Sequence, residues 1–337
     1  VAAATGTRPS LYVESNGVPI PPKTTSELYK RTDPAHIKMW DTALRKEWDG
    51  LCEREVFEHD LTKQQLYDRG ILPGKRLIGI RVIYESKTKN GEFERCKCRA
   101  VAQGFGFKKG RDFDSCFAAA PSLQSNRLIS ALCAVLGWRR VTFDINQAYL
   151  LGNATADAQY PMRYPEGWIR DQHRLPNGDE RYLLCLGNIY GLPTSGRTYA
   201  IERDRILMEV LPRPPPEGAG WTCRKLEYEM CMFEIKATHG RILFTVHTDD
   251  ADCIVEDERD AKEFLRVMNS MFSVAGNPGI KVVDVGVMLG VHRTTLEKNG
   301  VRLVKLDQSA KIEEYWTQYE GLRKKKPPAS PYPIGDM

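Results

Sequence analysis

The chain has 337 residues, 42% hydrophobic and 28% charged, with a formal net charge of +5. That is the composition of a globular protein with ample core, long enough for two or three sub-domains. Several classes are excluded: no apolar run nears the roughly 20 residues that span a bilayer, the first residues carry no secretory pattern, and nine scattered cysteines make no disulfide framework. Reduced thiols point to an intracellular compartment. Cys96 and Cys98 form a C-x-C with no second pair, a poor zinc signal. The first residue is Val1, not an initiator methionine, and the chain is expected to be a segment of something longer.

Residues 1–32 are polar and proline-bearing (Pro19 to Lys23), without a sustained period, and read as a linker. Asp33-Pro34 then starts a helix, with an N-cap acceptor followed by a proline whose missing N–H costs nothing in the first turn. Ile37, Trp40, Leu44, Trp48 and Leu51 follow at helical spacing and place one face on a core. Leu77–Tyr84 and Glu92–Ala102 flank Lys89-Asn-Gly91, a strong hairpin signal. On its second strand Arg95, Lys97 and Arg99 alternate and so share a face, which looks out at water or at phosphate because unpaired cations are costly to bury. Between Lys75 and Arg111 there are 11 basic and 3 acidic residues, a local net of +8, so the rest of the chain carries −3. That segment is either an electrostatic footprint for phosphates or a solvated basic face.

Leu123–Leu136 reads as an apolar helix, Val141–Ile145 and Ile242–Val246 as short strands. Asp249-Asp250 forms the tip of a second hairpin that continues into Ala251–Val255, with a helix from about Asp257 to Phe272. Arg213–Gly220 is a loop. Strands and helices mix without regular alternation, so the fold class is α+β.

Asp144 sits in an apolar strand, where a carboxylate is costly unless exposed, paired or bound to a cation. Adjacent Asp249 and Asp250 repel unless a cation joins them, although Asp-Asp at a turn is also ordinary turn chemistry. Were the two strands neighbours, these carboxylates could jointly hold a divalent metal, and oxygen ligands favour Mg²⁺ or Mn²⁺.

A longer pattern runs through Arg95-Cys-Lys-Cys-Arg-Ala-Val-Ala-Gln-Gly-Phe105, Gly110-Arg-Asp-Phe113 and Phe117-Ala-Ala-Ala-Pro121. It continues with Asp144-Ile-Asn-Gln-Ala-Tyr-Leu-Leu-Gly152, Met162-Arg-Tyr-Pro-Glu-Gly167 and Leu186-Gly-Asn-Ile-Tyr-Gly-Leu192. Thr248-Asp-Asp250, Leu289-Gly290 and Gln308 to Tyr315 close it. In order and spacing this resembles the reverse transcriptase of copia-type LTR retrotransposons, an RNA-directed DNA polymerase domain of a polyprotein.

The resemblance implies a right-hand polymerase fold with an antiparallel palm sheet, fingers and a partial thumb. Residues 33–140 would be a fingers-type region, 141–292 the palm with inserted segments, and 293–337 the start of the thumb or connection. Asp144, Asp249 and Asp250 would be the catalytic metal ligands, with Mg²⁺ (or Mn²⁺) as cofactor. Lys97 and above all Arg99 would meet the incoming triphosphate, as would Thr194 in the stretch Asn188 to Arg197. Tyr149 would lie under the sugar of the nucleotide, provided the strand breaks near Gln147, since regular extension puts it opposite Asp144; otherwise it is a core aromatic. Implied partners are template–primer, deoxynucleoside triphosphates and other polyprotein domains (integrase, RNase H), with no membrane. The implied location is intracellular, in a cytoplasmic virus-like particle or the nucleus.

Two positions depart from the family pattern. The aromatic hydroxyl before the carboxylates is replaced by His247-Thr248, and a glutamine by Thr194. His247 is either a hydrogen-bonding group near the primer end or a structural imidazole. A degenerate, catalytically impaired nucleic-acid-binding product is therefore the rival reading. After Lys324-Lys-Lys-Pro-Pro328 the family would continue toward RNase H.

Overall fold

A computed structural model describes residues 12–14, 17–89, 92–152, 159–274, 277–283, 286–288 and 290–319. Asn90-Gly91, Leu289 and the basic run at 324–328 lie outside the described residues. The helices are α1 (Thr25–Lys30), α2 (Pro34–Glu53), α3 (Lys63–Asp68), α4 (Leu123–Leu136), α5 (Trp168–Gln172), α6 (Ser195–Arg205), α7 (Glu258–Met271) and α8 (Ser309–Tyr319). The strands begin with β1 (Phe57–Leu61), β2 (Ile80–Lys89), β3 (Glu92–Ala102), β4 (Arg139–Ile145), β5 (Pro161–Arg163), β6 (Tyr182–Cys185) and β7 (Thr222–Leu226). They continue with β8 (Glu229–Lys236), β9 (Arg241–His247), β10 (Asp250–Val255), β11 (Ile280–Val282), β12 (Gly286–Met288), β13 (Val291–Lys298) and β14 (Val301–Asp307). The class is α+β, and all pairings between these strands are antiparallel. None of the described helices is long and apolar enough to cross a membrane.

Two compact units emerge, interleaved along the chain: 1–119, 146–219 and 270–279 in the first, and 120–145, 220–269 and 280–337 in the second. In the first unit α2 starts where the sequence predicts. The Asp33 carboxylate accepts from the N–H groups of Ala35 and His36, and Pro34 occupies the first turn. Trp40, Leu44, Trp48 and Leu51 are buried against β3 and its neighbours, with Ile37 partly covered. Each such side chain contributes roughly 1.5–3 kcal/mol by leaving water, and Trp40→Ala would cost about 3–5 kcal/mol. β2 and β3 pair from Ile80↔Ala102 to Lys89↔Glu92, with an irregularity at Lys87/Thr88. A second sheet has the order β1-β6-β5.

The stretch expected to be a linker contains structure. Thr24 caps α1 by accepting from the Glu27 N–H, Leu28 is fully buried, and Arg31 is held by the Ile20 carbonyl and Glu27. Six residues are too few to display a helical period, so composition alone concealed it.

In the second unit one antiparallel sheet has the order β11-β4-β10-β9-β8-β7. β4 slots between β10 and β11, far from both in sequence. Alternation along β4 buries Val141, Phe143 and Ile145 on one face. There Phe264 of α7 packs on Phe143 and Phe244. The other face carries α4, whose Ile129 and Cys133 cluster with Met232 and Ile254. Ser122 caps α4, and Gly137 ends it at φ +71°, a left-handed position suited to glycine. A smaller sheet, β12-β13-β14, adjoins α4 through β14 and β4 and β10 through β12.

Candidate active site

Register decides which side chains share a face. Asp250 opens β10 directly opposite Asp144 on β4, and His247 ends β9 directly opposite Asp250. Directly opposed residues place their Cβ atoms about 4.5–5.5 Å apart on the same face. Asp144, Asp250 and His247 therefore form a row across three neighbouring strands, on the face away from Phe143 and α7. The two-residue connection Thr248-Asp249 is tied to β4 by the Ile145 N–H, which donates to the Asp249 carbonyl at 2.7 Å. Thr248 takes φ +56°, a left-handed conformation unfavourable for a β-branched residue and of the kind that collects at functional sites.

The carboxylates sense one another. Burial, then Asp249, then Asp144 push the Asp250 carboxyl up to about 6. At about 5 Å and an effective dielectric near 20, two such charges repel by about 3 kcal/mol. A divalent cation would convert that repulsion into attraction, and an all-oxygen set suits Mg²⁺ or Mn²⁺. Among the described residues no three acidic, histidine or cysteine groups already close round an ion. The fit thus rests on the opposed pair and its mutual repulsion. His247 contributes a buried Nδ1 that has no hydrogen-bond partner among the described residues.

Sequence reasoning passed over the group behind this row. Asp252, two residues on and on the same face, is almost wholly buried and takes a two-pronged ion pair from Arg140, at 2.8 Å to Oδ1 and 2.6 Å to Oδ2. Arg293 of β13 approaches the same carboxylate at 3.5 Å. The signal was available, because Asp252 also interrupts an apolar strand.

The other predicted residues lie in the first unit. Arg95, Lys97 and Arg99 alternate on β3 as expected, while Cys98 and Ala100 turn into the core. Glu85, opposite Lys97, bonds both Lys87 at 2.5 Å and Arg99 at 3.2 Å. Burial, reinforced by Arg99, Lys87 and Arg95, holds the Lys97 ammonium below the usual lysine range, the mark of crowded cations.

β4 ends at Ile145, Gln147 takes φ +50°, and Ala148–Leu151 form one tight 3₁₀ turn carrying Tyr149. The chain does break near Gln147, as the role expected of Tyr149 requires. Its half-buried ring meets Tyr190 edge-on at 5.4 Å and Tyr199 at 6.0 Å, and runs beside Gly196. Thr194 immediately precedes α6, and its carbonyl accepts from the N–H and hydroxyl of Thr198. Buried Asn188 accepts from the Thr198 hydroxyl at 2.7 Å and so staples this stretch to α6. Gly191, at φ +91°, lies where a Cβ would strike the Ala102 carbonyl at 2.2 Å, and Ala102 N–H donates to the Tyr190 carbonyl. Two of the sequence motifs thus dock at the end of β3.

Residues 65–315 match the family model described as "Reverse transcriptase (RNA-dependent DNA polymerase)". The chain is 26% identical over 235 residues to the retrovirus-related Pol polyprotein from transposon RE2 of Arabidopsis thaliana, covering 67% of this chain and 15% of that protein. It is 30% identical over 152 residues to the corresponding polyprotein from transposon TNT 1-94 of Nicotiana tabacum, covering 44% and 11%. The chain spans only a small fraction of the length of these relatives.

Proposed function

The chain belongs to the reverse transcriptase (RNA-dependent DNA polymerase) family, in its copia-type retrotransposon branch, and from that premise we propose that it adds deoxynucleotides to a primer 3′-OH on an RNA or DNA template. The observation that carries this reading is the Asp144–Asp250 pair, opposed in register beside the left-handed Thr248. In this reading the six-stranded sheet is the palm, the β2–β3 hairpin belongs to the fingers, and β13 to α8 begin a thumb.

Asp144, Asp249 and Asp250 are the residues that hold Mg²⁺ or Mn²⁺, whose bound charge stabilises the attacking and leaving oxygens of phosphoryl transfer. Arg99 and Lys97 neutralise the triphosphate, and Glu85 keeps the Arg99 guanidinium in place before the nucleotide arrives. Tyr149 sets its ring against the sugar and rejects a 2′-hydroxyl by steric clash. Thr194 and its neighbours position the base-paired nucleotide. Other domains of a polyprotein, integrase and RNase H among them, are the proposed partners, and a virus-like particle the proposed setting.

Extension of a recessed DNA primer on an RNA template tests this. Asp144→Asn or Asp249→Asn should lower extension by several orders of magnitude, since metal-borne charge stabilisation is worth several kcal/mol. Duplex binding should persist. Undiminished extension by Asp249→Asn would overturn the site assignment. His247 and Thr194, the departures from the family pattern, favour a second reading, a nucleic-acid-binding protein of impaired catalysis. Wild-type protein that binds duplex but fails to extend it would establish that alternative.

A further inference from the structure

Where the chain leaves β4 it turns sharply, and one residue bears the turn. Asn146 is fixed behind it, its N–H donating to the Gly279 carbonyl at 3.0 Å and its side-chain amide to the Pro278 carbonyl at 2.9 Å. Ahead of it the Leu150 N–H donates to the Gln147 carbonyl at 2.9 Å and closes the 3₁₀ turn that carries Tyr149. Between them Gln147 stands at φ +50° and ψ +41°, left-handed backbone that a residue with a Cβ adopts at a cost. Left to itself, a glutamine would favour other conformations by roughly five- to thirtyfold.

The Gln147 side chain does not cap the turn. It runs instead to the end of α2, where the Arg54 Nε donates to its Oε1 at 2.7 Å. Arg54 is the C-cap of α2, its own N–H bonded to the Cys52 carbonyl, so the guanidinium is mounted on the end of a 20-residue helix. One turn back stands Gly50, where a Cβ would come within 3.3 Å of the Gln147 amide nitrogen. A glycine inside a helix weakens it; here it leaves room for the glutamine. The guanidinium also lies near Tyr190: burial draws Arg54 below its ordinary range, against the opposing pull of Tyr190 and then Glu53. Tyr190 is the ring that meets Tyr149 edge-on. Arg54 thus reaches Tyr149 by two routes, through the backbone joint at Gln147 and through an aromatic neighbour.

We propose that Arg54 is a positioning residue: it pins the left-handed turn at Gln147, holds the Tyr149 ring in place and so sets the discrimination between deoxy- and ribonucleotides. This rests on the polymerase reading and on the role given there to Tyr149. Arg54 acts through Gln147 and Tyr190, not on the nucleotide itself.

Single-nucleotide primer extension with the whole chain, comparing each deoxynucleotide with its ribonucleotide, tests this. Arg54→Met should raise relative ribonucleotide incorporation roughly tenfold, the equilibrium worth of one charge-assisted hydrogen bond. Arg54→Lys keeps a cationic donor and should restore most of the selectivity. In a Tyr149→Val background Arg54→Met should add less than about twofold, because the gate it positions is gone. A general loss of packing would instead lower kcat for both sugars alike. Should Arg54→Met fail to fold, Gln147→Ala breaks the same bond without altering α2. Unchanged selectivity in a folded, active variant would overturn the proposal, as would full additivity with Tyr149→Val. A wild type that does not extend primers sinks the polymerase reading instead, and the pinning is then read by urea unfolding. There Arg54→Met and Gln147→Ala together should cost less than the sum of the two, and strictly additive costs would overturn it.

Discussion

Replacing Asp250 with asparagine should make the metal-free protein more stable, although the residue is assigned to the active site. The folded-state carboxyl titrates near 6 against an ordinary value of 3.8. The raised value means that the fold favours the protonated form. Stability is therefore greatest below the unfolded value, declines as pH rises from about 4 to about 6, and stays low at neutral pH. The displacement corresponds to about 3 kcal/mol. The group is only half-buried, and solvent screening reduces that to about 1 kcal/mol. Asparagine keeps the shape and removes the charge, so in EDTA at neutral pH Asp250→Asn should melt about 2 °C higher. The difference should vanish near pH 4, and added Mn²⁺ should stabilise the wild type more than the mutant. Differential scanning calorimetry across pH, with and without metal, makes the measurement. A mutant melting at or below the wild-type temperature in EDTA at neutral pH would refute the idea that burial and the neighbouring carboxylates disfavour the Asp250 charge.

Three further outcomes are expected. Arg99→Ala should raise the nucleotide KM and lower kcat, with Arg99→Lys intermediate, measured by steady-state primer extension. Tyr149→Val should increase ribonucleotide incorporation relative to deoxynucleotide, because a hydrophobic pocket alone discriminates against an added hydroxyl by only about 10²-fold; unchanged selectivity in a folded, active mutant would remove the steric gate. Asp252→Ala should destabilise the protein by about 3–5 kcal/mol in urea unfolding, since it leaves Arg140 and Arg293 buried without their shared carboxylate.

The readability of these features in the sequence followed the range of the interactions behind them. Asp33-Pro34 and the spacing from Ile37 to Leu51 are local, and α2 formed where they indicated. α1 is as local, but its six residues cannot show a period. The pairing of β4 with β10 joins segments more than a hundred residues apart, and only the motif order suggested it. The interleaving of the two units is likewise invisible to a division of the chain into consecutive blocks. Asp144 and Asp252 show the limit most sharply. Both are carboxylates in apolar strands, and both lie on the sheet face opposite Phe143. Their difference lies across the strand. Asp252 faces Thr142 and is neutralised by Arg140, one register step away. Asp144 faces Asp250 on β10, like charge against like charge, and Lys281 on β11. A lone strand cannot say whether its carboxylate is a structural ion pair or half of a cation site, because the identity of the opposite residue decides it. A carboxyl that burial and two neighbouring acids push upward is the feature that makes Asp250 and its opposite number a candidate cation site, whereas Asp252 is held in a structural ion pair.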